Sequence, residues 1–195
     1  CVAYLSRAGW DESTTPESVY RDQIRAACGG LAVKDMLETF RELENVTTTL
    51  EGHGLGLTFP VPGMIMKHWT PQAMPEKLLD VMHGYQRGMQ AAQRARAKST
   101  ESGLAYVDYW IGRLEFGAGF LDTAKTVRAA ASAETAKKPQ EALRHAKSAL
   151  AKARHALEAY ARVARDRSDY GAIATMGEYV YRPLKEKVSS LSANN

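Results

Sequence analysis

Cysteine is nearly absent from this chain: two occur in 195 residues, Cys1 and Cys28. No CxxC pair exists, which excludes a zinc knuckle and a thioredoxin-type dithiol. At most one disulfide is open to it, and two distant cysteines leave the redox compartment undecided. No run of 18 apolar residues exists, so no segment reads as a transmembrane helix and no membrane partner is expected. No HExxH occurs, and no Glu-x-x-His pair recurs on two helices as a di-iron bundle requires. Neither a metal nor a cofactor is expected. Alternating β patterns and fixed-length repeats are missing too. There is no signal-peptide pattern and no initiator Met, and the expectation is that the chain is processed or cut from something longer.

What is present is ordinary for a folded protein. Hydrophobic residues make up 45 % and charged residues 25 %, which excludes a disordered chain. A chain of this length buries a sizeable core without staples. The net charge is +4, and the excess concentrates between Lys137 and Arg165. Only Glu141 and Glu158 oppose the basic residues there. This stretch reads as the solvated face of a helix, and nucleic acid is not an expected partner.

Helical punctuation is frequent. Thr14 or Thr15 caps a helix with Pro16 near its first position and Glu17 in its first turn, and Gly29-Gly30 ends it. A second helix spans about 31–50, with Met36, Phe40 and Leu43 on one stripe. Thr70-Pro71 and Pro75 reopen a helix carrying Leu78, Met82, Tyr85, Met89 and Ala92. After Ser99-Thr100 a very long helix reaches about Glu134. Leu104, Val107, Ile111, Leu114, Ala118 and Leu121 form one stripe. Tyr106, Trp110, Gly117 and Phe120 widen it, which places this helix in the middle of a bundle. Lys138-Pro139 starts the next helix, with an alanine-rich seam of Leu143, Ala146, Leu150, Ala153, Leu157, Tyr160 and Ala164 that lets a neighbouring helix approach closely. A last helix follows Asp166 to Asp169 and is expected to bend or break at Pro183. The fold class is therefore all-α: a bundle of five to six helices, several long, with one irregular Gly/Pro-rich loop. Residues 1–15 read as the end of an upstream domain, and 16–195 as the bundle with its irregular loop at 51–69.

The loop is the first place to look for function. Its glycines and prolines oppose a helix, yet it carries Leu55, Leu57, Phe59, Val61, Met64, Ile65, Met66 and Trp69. So much apolar surface predicts an ordered loop packed on its own bundle or on a neighbour. His53, Phe59, His68 and Trp69 are the candidate substrate contacts. His145 and His155 read as exposed residues of the basic helix. The second place is 109–116, the densest aromatic and charged stretch. Arg113 and Glu115 are two residues apart and point to different sides, so each needs a partner on another helix. Asp166, Arg167, Asp169, Glu178 and Arg182 are the candidates, and the expected role is a structural ion-pair network. No residue is assigned a catalytic role.

The opening Ala3-Tyr4-Leu5-Ser6-Arg7-Ala8-Gly9-Trp10-Asp11-Glu12, the Thr15-Pro16-Glu17 that follows, and the helix closing at Cys28-Gly29-Gly30 resemble one segment of a known family. It is the segment in α-glucuronidase-like and hexosaminidase-like glycoside hydrolases where the catalytic (β/α)8 barrel ends and a helical C-terminal region begins. The stretches 109–120 and 178–183 suit such a region. The resemblance implies a non-catalytic accessory domain of a carbohydrate-active protein. The implied partners are an upstream catalytic domain of the same parent chain and a second copy in a homo-oligomer, and the implied compartment is secreted or periplasmic. The barrel and its catalytic acids lie outside this chain, so no catalytic residue carries over. The alternative is a free-standing helical-bundle interaction module with 137–165 as its partner surface.

Overall fold

The computed structural model describes residues 2–52 and 64–193. Helix makes up 85 % of the described residues, which contain no strand. The helices are α1 (Val2–Ala8), α2 (Pro16–Cys28), α3 (Val33–Gly52), α4 (Glu76–Arg96), α5 (Leu104–Thr135), α6 (Pro139–Ala161), α7 (Arg167–Met176) and α8 (Arg182–Ala193). Short 3-10 turns at Gly30–Ala32, Ile65–His68 and Glu101–Gly103 join some of them.

The ends are set by local chemistry. Thr15 caps α2 reciprocally: its hydroxyl accepts from the Ser18 amide, and the Ser18 hydroxyl accepts from the Thr15 amide, each at 3.1 Å. Gly29 follows with φ of 87°, a conformation that glycine adopts without strain. The Thr100 amide then donates to the Cys28 carbonyl at 3.0 Å, which ties the end of α2 to the start of α5. Asp166 caps α7 by accepting from the amides of Ser168 and Asp169.

Cross-helix contacts fix an up-and-down order. Asp35 of α3 meets Arg94 in the last turn of α4 and Lys98 just beyond it, while Gly84 near the middle of α4 faces Val46 toward the end of α3. Gly88 faces Leu114 and Gly117 faces Tyr85, so α5 runs antiparallel to α4. Gly112 abuts Val163 and Gly119 abuts Ala156, so α6 runs antiparallel to α5. Helix α5, 32 residues or about 48 Å long at the standard rise, is sandwiched between α4 and α6, the central position its apolar flanks predicted. Val107, Leu114, Leu121, Ala124 and Val127 are fully or almost fully buried.

Three expectations need correction. The buried seam of α6 is Ala142, Ala146, Ala149, Ala153, Ala156 and Ala159, with Tyr160 at its end. Leu143, Leu150 and Leu157 flank it half-buried. The glycines of α5 demand small residues opposite, so alanines take the centre and leucines the shoulders. Second, the irregular segment is narrower than 51–69. Glu51 and Gly52 complete α3, and Ile65–His68 form a 3-10 turn; residues 53–63 lie outside the described residues. Third, the interruption expected at Pro183 lies just before it and is not a break in the helical chain. A π-helical turn at Gly177–Tyr181 links α7 to α8, and widening the turn before a proline relieves the clash with its preceding carbonyls.

The α5–α6 seam generates a test. A Cβ on Gly119 would sit 2.8 Å from the Cβ of Ala156, whereas one on Gly171 in α7 would meet nothing within 4 Å. Gly119→Ala should lose about 1–3 kcal/mol to overpacking. Gly171→Ala should gain about 0.5–1 kcal/mol from helix propensity. Urea denaturation of both variants checks this; equal effects would refute the close seam.

Candidate functional site

Helices α3 and α5 both settle on α4, helped by Gly84, Gly88, Ala91 and Ala92, but do not pack closely on one another. Large side chains span the gap. Phe40 of α3 meets Trp110 of α5 edge to face at 5.0 Å, and Tyr20 of α2 meets Phe40 at 5.7 Å. The result is a cleft of about 960 Å³ lined by Tyr20, Phe40, Leu43, Tyr106, Trp110 and Arg113. A second lobe of about 200 Å³ continues toward Tyr85, Phe116 and Tyr160. Leu43, Thr47, Trp110 and Arg113 belong to both lobes and form the throat.

Arg113 is held from behind. Its Nη1 donates to the Tyr109 hydroxyl at 2.8 Å and the Tyr160 hydroxyl at 2.9 Å, and reaches Asp169 Oδ1 at 3.4 Å. The guanidinium also lies 4.7 Å from the Tyr160 ring centroid and 5.6 Å from that of Tyr109. Asp169 anchors the group. It accepts from the Tyr160 hydroxyl at 2.7 Å, the Tyr109 hydroxyl at 3.1 Å and the Arg165 amide at 2.9 Å. Burial alone would raise its pKa, but these donors and the nearby Arg113 charge outweigh burial and keep the carboxylate below its usual range. Arg165 stacks on the outer face of Tyr109 at 4.4 Å and donates to the Ala105 carbonyl.

The other charged candidates disperse. Glu115 meets His155 of α6 at 3.3 Å and Arg162, the residue that caps α6, at 2.9 Å. Glu178 and Arg182 pair with each other at 2.6 Å, and Arg182 also reaches Glu186. Asp166 serves as the α7 cap, and Arg167 stands exposed beside it. Half of the basic residues in 137–165 carry a carboxylate: Lys138 with Glu141, Lys152 with Asp122, Arg154 with Glu158 and Arg162 with Glu115. His155 is exposed, but His145 is half-buried beside Glu141.

Of the four loop candidates, His53 and Phe59 lie outside the described residues. His68 and Trp69 are turned toward their own bundle. The Trp69 indole donates to Glu134 of α5 at 2.6 Å, Lys187 of α8 pairs with the same carboxylate at 2.7 Å, and the Lys187 ammonium sits 4.6 Å over the indole ring. Arg128 and Ser132 of α5 bind the carbonyls of Gln72, Ala73 and Pro71, so 69–73 is strapped along α5. His68 is 3 % exposed, and neither ring nitrogen has a hydrogen-bond partner among the described residues.

Two of the four throat residues, Trp110 and Arg113, belong to the aromatic stretch singled out in the sequence, but Leu43 and Thr47 of α3 do not, and Phe40, Tyr20 and Tyr160 were not readable as its partners. Tyr109 and Arg113 are four apart, a spacing that brings a phenol under a guanidinium. Tyr160 is the one bulky residue closing an alanine seam. No described cluster of three or more His, Cys, Asp or Glu side chains is placed to hold a metal ion, and no described helix is long and apolar enough to cross a membrane. Compared with known proteins, the chain matches no family model, no curated protein and no solved structure at a significant level.

Burial first, and the Arg128 charge second, push the His68 pKa down to about 4. A histidine depressed on folding stabilises the fold above its unfolded pKa of about 6.5, and that stability declines as pH falls toward the folded value. Between pH 7 and pH 5 the protein should lose about 2 kcal/mol through this one group. In His68→Leu that slope should be largely absent, as read from urea midpoints across the range. A variant that keeps the full slope would show that His68 is not its source.

Proposed function

We propose that this chain is a non-catalytic helical accessory domain of a larger, glycoside hydrolase-like carbohydrate-active protein, which packs on a catalytic domain of the same parent. The observation that carries this reading is the N-terminal arm. Val2 is 83 % exposed, Leu5 67 % and Trp10 94 %. No residue of α1 is buried, although an Arg7–Asp22 pair at 2.6 Å steadies it against α2. Three large apolar side chains on one short segment are a surface that gains by being covered. Full burial is worth roughly 1.5–3 kcal/mol for each aliphatic side chain, and Trp10 has still more area to contribute. The same segment carries the motif-like resemblance to the place where a hydrolase barrel ends. The ion pairs of two carboxylates agree with a supporting role: Glu115 is engaged by Arg162 and His155, and Glu178 by Arg182.

The test compares hydrogen exchange at 2–10 in this chain alone and in the complete gene product. Protection there should rise at least about tenfold in the complete protein, a difference of about 1.4 kcal/mol. Trp10→Asp should lower the melting temperature of the complete protein and leave that of the chain alone unchanged. Equal exchange in both, or a gene product without a catalytic domain, would overturn the reading and favour the free-standing interaction module.

A further inference from the structure

We infer that the cleft between α2, α3 and α5 is a binding site for a small aromatic monocarboxylate, with Arg113 as the carboxylate receptor. The argument begins with the hydrogen bonds of Arg113. Its contacts to Tyr109, Tyr160 and Asp169 are all made through Nη1. The Nε–H and the two Nη2–H donors have no acceptor among the described residues. The Nε/Nη2 edge is one that forms a two-pronged fork with a carboxylate. Arg113 lines both lobes of the cleft, and its side chain is 39 % exposed.

The guanidinium is also fixed in advance. Two tyrosine hydroxyls and two tyrosine rings hold it, so a ligand would bear little of the cost of ordering it. Its one carboxylate neighbour does not neutralise it fully. Asp169 lies at the long distance of 3.4 Å and is shared with two phenols and the Arg165 amide. An arginine so placed favours one more anionic acceptor on its open side. The rim argues for a single charge, because Glu44 and Glu51 line the mouths of the two lobes and would repel a dianion. Glu17 is already engaged by Arg21 and Arg41.

The rest of the lining selects the body of the ligand. Phe40, Trp110, Tyr106 and Tyr20 form a continuous aromatic wall, with Trp110 packed edge-on against both Phe40 and Tyr106. Such a wall accepts a flat ring by offset or edge-to-face contact. A volume of about 960 Å³ is ample for one ring system. Thr47, exposed on α3 at the throat, adds a hydroxyl beside the carboxylate position.

The experiment titrates the full chain with sodium benzoate and follows the indole resonances of the three tryptophans by nitrogen-15 NMR. Trp110 should shift saturably while Trp10 and Trp69 stay in place. Benzamide, which has the shape without the charge, and acetate, which has the charge without the ring, should each bind at least about tenfold more weakly. Arg113→Gln should lose benzoate binding by at least about tenfold, and Arg113→Lys should fail to restore it because an ammonium lacks the planar fork. Thr47→Phe blocks the throat from an exposed position; it should abolish binding at an unchanged melting temperature, which keeps the test valid if the Arg113 variants fold poorly. Equal binding of benzoate and benzamide, unaltered binding in Thr47→Phe, or no saturable Trp110 shift up to the solubility limit of benzoate would overturn the inference.

Discussion

The close approach of α5 to α6 is the constraint on which the rest of the molecule depends. Gly112 and Gly119 leave no room for a Cβ against Val163 and Ala156, and six alanines answer them along α6. Helices with only small side chains between them gain backbone dispersion contacts along the seam and lose little side-chain entropy. This seam brings Tyr160 to Arg113 and sets the start of α7 so that Asp169 reaches both. A wider spacing would dissolve that polar node along with the packing.

The opposite side of α5 follows a different rule. Glycines of α4 draw α3 and α5 onto a common base, but nothing small separates α3 from α5 themselves. Aromatic side chains fill that gap incompletely, because rings packed edge to face leave more space than interdigitated aliphatic chains. The cleft is thus a consequence of where the small residues are and where they are not. It also explains why Arg113 faces space: behind it the seam is tight, and ahead of it the helices diverge.

Buried charge is handled by local compensation. Asp35, only 4 % exposed, receives Arg94 of α4 at 3.2 Å and Lys98, just beyond that helix, at 2.5 Å. Burial would raise its pKa, but the two cations outweigh it and hold the carboxylate below its usual range. Asp169 reaches the same end with hydroxyls and an amide as well as an arginine. His68 has no such compensation and stays neutral instead, the cheaper state for an imidazole in an apolar surround. Two carboxylates and one histidine therefore meet the same kind of desolvation cost in different charge states, the carboxylates ionised and compensated, the imidazole neutral.

Much of the fold was legible because it rests on short-range rules. The all-α class, the order of the long helices, the Thr15 cap and the central place of α5 follow from periodicity and punctuation, which are properties of neighbouring residues. The π-turn before Pro183 and the shifted α6 seam were not, since both depend on what lies opposite. The site divides the same way. Arg113 stood out as a charge in need of a distant partner, and Asp169 was among those proposed for it. Tyr109 and Tyr160 as its cradle, the Arg162 partner of Glu115, and Phe40 and Tyr20 as a wall came only with the tertiary structure. Segments 47 or more residues apart in sequence meet there. Which of several equally suitable side chains they bring together is decided by helix register and close approach, and neither is written in the local pattern of a sequence.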